Sequence, residues 1–311
     1  MKIVIIGVFP EKTREHIRGS FPADWELHIV RPEDAGPFLG DADAVIPEHI
    51  SVDGPFLSRA PKLRLVQTGA GYDNVDIAEC TRRGVQVCNA AGINAAAVAE
   101  HTMALILCWY KNIPYLDTFV KTGGPESELD YAGSELLGKT AGIVGLGRVG
   151  QRVAACCQAL GMNVLGHSRH PVSTPGIRRV ELERLYEESD IVTVHVPLLP
   201  ETRHLIDAGA FSRMKPDALF VNTARGAVVE EDCLVDALRT HRIGGACLDV
   251  YEQEPLAKDH PLRSLSNVIL TPHTAGYPDG VSYHRRRYAF FAANIQKLMS
   301  GTRPDCALNT V

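Results

Sequence analysis

In TAGIVGLGRVGQRVAACCQALG, residues 140–161, a short apolar run meets three glycines and then a helical pattern. Gly145, Gly147 and Gly150 have the spacing G-x-G-x-x-G, in the strand–turn–helix setting that gives this spacing a meaning. The first glycine permits a tight turn, the second lets backbone approach a pyrophosphate, and the third lets helix pack on strand. The start of the helix then offers unpaired N–H groups and the positive end of a dipole to that anion. A dinucleotide-binding unit is expected here, with these three glycines at the cofactor.

Strands on either side extend this unit into a sheet. Downstream come NVLGHS (163–168), DIVTVHV (190–196), LFVNTA (219–224), GACLDV (245–250) and VILTPH (268–273). An earlier series comprises KIVIIG (2–7), ELHIV (26–30), DAVIP (43–47), LRLVQT (63–68) and VQVCNA (85–90). Strands alternating with helical segments predict an α/β protein with two doubly wound parallel-sheet domains. Runs that are apolar at successive positions belong where helices cover both faces of a sheet. Two long helical segments, 94–113 and 282–301, divide and close the chain. Crossing through the first and returning through the second makes domain one discontinuous. Residues 1–98 and 283–311 then form a substrate domain, and 99–282 the dinucleotide-binding domain.

The bulk properties narrow the function. A chain of 311 residues suits two domains of ordinary size. With 45% hydrophobic and 22% charged residues it has a soluble globular composition. A net charge of −5 gives no general attraction to nucleic acid or an anionic membrane. The longest apolar stretch, AAAVAEHTMALILCWY (95–110), is broken by Glu100 and His101, so no membrane span is expected. The opening MKIVIIGVFPEK is too short in its apolar run for a signal peptide, and a cytoplasmic location is expected. None of the eight cysteines forms CxxC. They are expected to be reduced and packed as small hydrophobes, with no metal bound.

The strand ends carry the chemistry. The strand NVLGHS would end on a carboxylate if it accepted from the ribose 2′-OH of NAD. It ends instead on Ser168 followed by Arg169, 23 residues after Gly145. A hydroxyl and a guanidinium suit a 2′-phosphate, which predicts NADP in preference to NAD. Three further polar residues fall at the carboxyl ends of successive strands: Arg225 after LFVNTA, Glu254 beyond LDV, and His273 closing VILTPH. Ligands of open α/β sheets bind at that edge. An arginine, a carboxylate and a histidine there, beside a nicotinamide, predict a site that grips an anionic substrate and moves a proton.

In these motifs the chain resembles the D-isomer-specific 2-hydroxyacid dehydrogenase family. The likeness runs through QTGAGYDNVD (67–76), GVQVCNAAGINAAAVAEHTMALIL (84–107) and GSELLGKTAGIVGLGRVG (133–150). It continues in HVPLLPETRHLI (195–206), VNTARGAVVEEDCLVDAL (221–238), LDVYEQEP (248–255) and TPHTAGY (271–277). The resemblance implies a Rossmann domain inserted in a flavodoxin-like substrate domain. It implies reduction of a 2-keto acid, such as glyoxylate or hydroxypyruvate, to a D-2-hydroxy acid. The family's catalytic residues fall on Arg225, Glu254 and His273. A protonated His273 would supply the proton, Glu254 would favour and orient the imidazolium, and Arg225 would hold the carboxylate. The resemblance also places Arg148, Val149, Val196 and Asp249 at the cofactor, and Gly69, Ala70 and Gly71 at the substrate, as a nest of backbone N–H groups. A homodimer and a small-molecule 2-keto or 2-hydroxy acid partner are implied as well.

Other activities on this scaffold are disfavoured by particular residues. Ala70 stands where phosphite dehydrogenases would carry a loop lysine, and Glu254 where formate dehydrogenases carry glutamine. A non-catalytic, dinucleotide-sensing corepressor and an enzyme oxidising phosphoglycerate are further alternatives, although neither a regulatory tail nor a C-terminal regulatory domain is expected here. The basic run His284-Arg285-Arg286-Arg287 reads as a solvated helix face. A contact from one of its arginines to an anionic substrate tail is the sharper alternative.

Overall fold

A computed structural model describes the chain except for His49, Asp130–Ala132, Pro171, Ser173 and residues 277–280, together with the side chains of residues 281 and 282. Tyr277, which ends one of the motifs above, lies outside the described residues. Two units are present, Met1–Asn94 with Tyr277–Val311, and Ala95–Gly276. The limits expected from sequence, after residue 98 and before residue 283, fall slightly later in the chain than these.

In the first unit, the runs of valine and isoleucine form β1 (Lys2–Ile6), β2 (Glu26–Val30), β3 (Ala44–Pro47), β4 (Leu65–Gln67) and β5 (Gln86–Cys88). Every pairing between these five strands is parallel, in the order β2-β1-β3-β4-β5. This is the flavodoxin-like order. Side chains of a strand alternate between faces. Val4 and Ile6 therefore join one core layer with Val45 and Val66. Ile3 and Ile5 join the other, against Ile46, Tyr288 and Phe291. The last two belong to the helix Val281–Met299, and a core on both faces explains why β1 is apolar at consecutive positions.

In the second unit, β6 (Thr140–Val144), β7 (Asn163–His167), β8 (Ile177–Arg179), β9 (Ile191–Val194), β10 (Leu219–Asn222), β11 (Gly245–Leu248) and β12 (Val268–Leu270) form one parallel sheet. Its order is β8-β7-β6-β9-β10-β11-β12. This is the doubly wound order of dinucleotide-binding domains with one strand added, and its direction of winding reverses between β6 and β9. Both faces are again packed, with Val144, Val194, Phe220 and Leu248 on one side and Ile143, Ile191, Val221 and Cys247 on the other. The helix Ala95–Tyr110 lies so close to β11 that a Cβ on Gly245 would sit 2.0 Å from the Trp109 ring.

Strand β8 departs from the sequence expectation, which placed no strand there. Its sequence, Ile-Arg-Arg, is too short and too charged to show an apolar pattern. At a sheet edge, a strand needs only one neighbour and one covered face. No helix among the described residues is long and apolar enough to cross a membrane. The eight cysteines are unpaired. Burial first of all pushes the Cys88 and Cys157 thiols up to about 12, which keeps them protonated, whereas Cys156 is exposed.

Candidate active site

The three glycines after β6 have three separate physical jobs. Gly145 adopts φ of +100°, a conformation that disfavours side chains, and a Cβ there would lie 2.6 Å from the His195 carbonyl oxygen. A Cβ on Gly150 would lie 2.0 Å from the Gly145 oxygen, so the helix Arg148–Ala159 can approach the turn only without one. Gly147 differs from both: nothing lies within 4 Å of its Cβ position. It is the N-cap of that helix and gives it no side-chain cap. First-turn N–H groups thus face a space that only a missing side chain keeps open, as a pyrophosphate requires. Arg148 is exposed and Val149 half-buried beside this space, and Val196 stands across it next to Gly145. The residues present fit a dinucleotide.

At the end of β10 the chain turns through Asn222. Its side chain accepts from the Ala224 N–H at 3.0 Å and donates to the Arg225 carbonyl at 3.0 Å, which fixes how Arg225 leaves the sheet. Gly226 follows because a Cβ there would fall 1.8 Å from the carbonyl group of Tyr251. The close approach brings the Arg225 turn against the 251–254 segment. The Glu254 carboxylate accepts from the Tyr251 N–H at 3.0 Å and meets His273 Nδ1 at 2.6 Å. Burial would raise the Glu254 pKa; the His273 hydrogen bond, the Tyr251 N–H and the Arg225 charge outweigh it and hold this carboxyl below its ordinary value. An ionised carboxylate only accepts, so Nδ1 carries the hydrogen of this bond, and Nε2 is left for exchange with another molecule. Arg225, Glu254 and His273 therefore gather at one edge of the sheet, Arg225 and His273 half-buried and Glu254 exposed.

His273 itself has φ of +52°, which is uncommon for a residue with a side chain. Asp249, fully buried just past β11, holds it there. The Asp249 carbonyl accepts from the His273 N–H at 2.7 Å. The Asp249 carboxylate accepts from Thr271 Oγ1 at 2.6 Å, the Thr274 N–H at 2.9 Å and the Ala275 N–H at 2.8 Å. His101 Nε2 also approaches Thr271 Oγ1 at 3.1 Å. Sequence reasoning did not anticipate this cage, since nothing in LDV or TPHTA marks which groups will bond.

At the end of β7, Ser168 Oγ donates to the His170 carbonyl at 2.7 Å. Arg169 is exposed and forms an ion pair with Glu201, in the segment after β9. A second arginine, Arg179 of β8, donates from Nη2 to the Ser168 carbonyl at 2.5 Å. Glu201 and Arg179 were both missed from sequence. Charge pattern does not reveal partners so far apart, and β8 gave no strand signal.

In the first unit, the segment after β4 has the composition of an anion nest. The carbonyls of Gly69 and Ala70 accept from the Ala90 N–H at 2.8 Å and the Asn89 side chain at 3.0 Å. Among the described residues, the N–H groups of Gly69, Ala70 and Gly71 have no acceptor. The basic run needs a correction here. Arg285 and Arg286 are exposed, but Arg287 is 5% exposed and is no solvated face. Its Nη2 meets Glu48 at 2.6 Å, the rings of Tyr283, Tyr288 and Phe291 surround its guanidinium, and a Cβ on Gly69 would come within 2.8 Å of it. Position on the helix face decided its burial: residues three and four apart share a face, and Arg287 shares one with Tyr283 and Phe291.

The chain matches the family model described as "D-isomer specific 2-hydroxyacid dehydrogenase, NAD binding domain" over residues 103–275. It is 43% identical over 236 residues to a D-3-phosphoglycerate dehydrogenase of Archaeoglobus fulgidus, covering 74% of this chain but only 45% of that protein. It is 41% identical over 270 residues to a glyoxylate reductase of Aeropyrum pernix, covering 83% and 80% of the two chains. Among solved structures, an NADPH-dependent glyoxylate/hydroxypyruvate reductase of Sinorhizobium meliloti, in complex with NADP and malonate, superposes with a TM-score of 0.87. Its identity is 26%, over 99% of this chain and 96% of the other.

Proposed function

The chain belongs to the D-isomer specific 2-hydroxyacid dehydrogenase family, and we propose that it reduces a small 2-keto acid, such as glyoxylate or hydroxypyruvate, with NADPH in preference to NADH. The observation that carries this reading is the His273–Glu254 contact of 2.6 Å beside Arg225, on the sheet that also bears the glycine cradle. A bound nicotinamide cofactor would supply or accept the hydride. Arg225 would hold the substrate carboxylate through its planar fork and polarise the neighbouring carbonyl. His273, with Nδ1 committed to Glu254, would deliver a proton from Nε2 to the developing alkoxide oxygen, and take it back in the reverse direction. Gly145, Gly147, Arg148, Val149 and Gly150 would hold the pyrophosphate, and Ser168 and Arg169 the adenosine end. Val196 and Asp249 would flank the nicotinamide. Asp249, whose carboxylate already has three donors, would act mainly by holding the loop of His273. Gly69, Ala70 and Gly71 would offer N–H groups to the substrate anion.

Eight unpaired cysteines suit a reducing compartment, which supports a cytoplasmic location. A homodimer is the assembly we expect from the family, and a sedimentation measurement would decide it. The test of function is a panel of 2-keto acids with NADPH and NADH, run on the purified chain and on His273→Ala. Turnover of glyoxylate or hydroxypyruvate, lost by a factor of about 100 or more in the variant, is the expected result. Wild-type turnover in His273→Ala would remove this residue from proton transfer.

A further inference from the structure

Of the two arginines that reach the end of β7, the one next to Ser168 in sequence is already engaged. Arg169 sits in an ion pair with Glu201, and both side chains are about half exposed, at 57% and 52%. Its charge is therefore shared with a carboxylate that would repel an incoming phosphate. Arg179 is in a different position. It comes from the edge strand β8, is exposed, and spends one N–H on the Ser168 carbonyl at 2.5 Å. A guanidinium has five N–H donors, so most of its fork is not used by this bond. Among the described residues no carboxylate lies within ion-pair distance of Arg179, whereas its neighbour Arg178 pairs with Glu188. Adjacent strand residues point to opposite faces, so the sheet sorts these two arginines into one that is paired and one that is available.

We infer that Arg179 is the principal cation for a cofactor 2′-phosphate, and that Glu201 tunes selectivity by competing for Arg169. The inference rests on the NADPH reading above and deepens it. With the Ser168 carbonyl as its tether, Arg179 is anchored at the strand end where the adenosine ribose of a dinucleotide lies in this fold. The β8 edge brings the positive charge, and the hydroxyl of Ser168 can turn to donate to the same phosphate. Glu201 works in the opposite direction. It withdraws Arg169 when no phosphate is present, and a bound phosphate must draw Arg169 away.

Calorimetric titration of the full chain with NADPH, NADH, 2′,5′-ADP and 5′-AMP tests this without relying on turnover. Arg179→Ala should weaken NADPH and 2′,5′-ADP by about tenfold, the low end for a charged hydrogen bond at an exposed site. NADH and 5′-AMP should bind as before, which also certifies that the fold is intact. Arg169→Ala should cost less than Arg179→Ala, and Glu201→Gln should tighten 2′,5′-ADP. NADPH affinity in Arg179→Ala within twofold of wild type, or weaker 2′,5′-ADP binding in Glu201→Gln, overturns the inference. If wild type favours NADPH and Arg179→Ala keeps that preference, only this assignment fails. If wild type binds NADH as tightly as NADPH, the cofactor reading itself falls, and this inference with it.

Discussion

Asp249→Asn isolates the group that holds His273 in place. The carboxylate takes three donors at 2.6–2.9 Å with no exposed surface, so the substitution changes bonds and almost no volume. An asparagine keeps one acceptor oxygen and turns the other into an NH2 that meets an N–H from Thr274 or Ala275. One charge-assisted bond is lost and one buried N–H is left without an acceptor. At about 1.5–3 kcal/mol for the bond, and with the unpaired donor overlapping that cost, a loss of about 3 kcal/mol is expected. A unit of this size moves by about 2–4 °C per kcal/mol, so its thermal transition should fall by about 6–12 °C. His273, at φ of +52°, would then lose part of what keeps it there, and turnover should fall with little change in NADPH affinity. Scanning calorimetry, cofactor titration and single-turnover reduction of one keto acid measure the three quantities. A variant with wild-type melting and turnover, but weakened cofactor binding, would refute the loop-holding role. It would show that Asp249 serves the nicotinamide directly.

Two other expectations follow from the same geometry. Gly147→Val should leave the melting temperature nearly unchanged, since its Cβ meets nothing, yet abolish measurable dinucleotide binding by titration; retained binding would show that no phosphate approaches this turn. The depressed pKa of Glu254 contributes stability that is present above the ordinary carboxylate range and lost as pH falls through the folded-state value. Melting curves of wild type and Glu254→Gln across pH 3–7 should therefore converge at the acid end, while parallel curves would mean that Glu254 adds no such linkage.

The positions of the candidate site residues were more legible in the sequence than the contacts that hold them. β6, the glycine turn and the strand ends could be read because backbone needs are local: Gly145 needs its positive φ, and β10 ends where its apolar run ends. Arg225, Glu254 and His273 could be placed at one edge because parallel strands all finish on the same side. Partners distant in sequence could not be read. Glu201 finds Arg169 across 32 residues, and Glu48 finds Arg287 across 239. The pattern HRRR gave three equivalent charges, and only helix phase against a packed sheet made Arg287 different from its neighbours. β8 escaped because three residues at an edge need no periodic signature.

Arg225 follows β10 by three residues, through the turn that Asn222 fixes, and that attachment governs which length changes the gene can tolerate. Each strand advances about 3.3 Å per residue and reverses face at every step. A single deletion inside Leu219–Asn222 would draw the guanidinium back by about that distance and turn every shifted strand side chain to the opposite layer. Surface loops between helices and strands, by contrast, can absorb added residues at small entropic cost. Length polymorphism among descendants of this sequence should therefore collect in the connections, and codon deletions within the strands that position the candidate site residues should be purged.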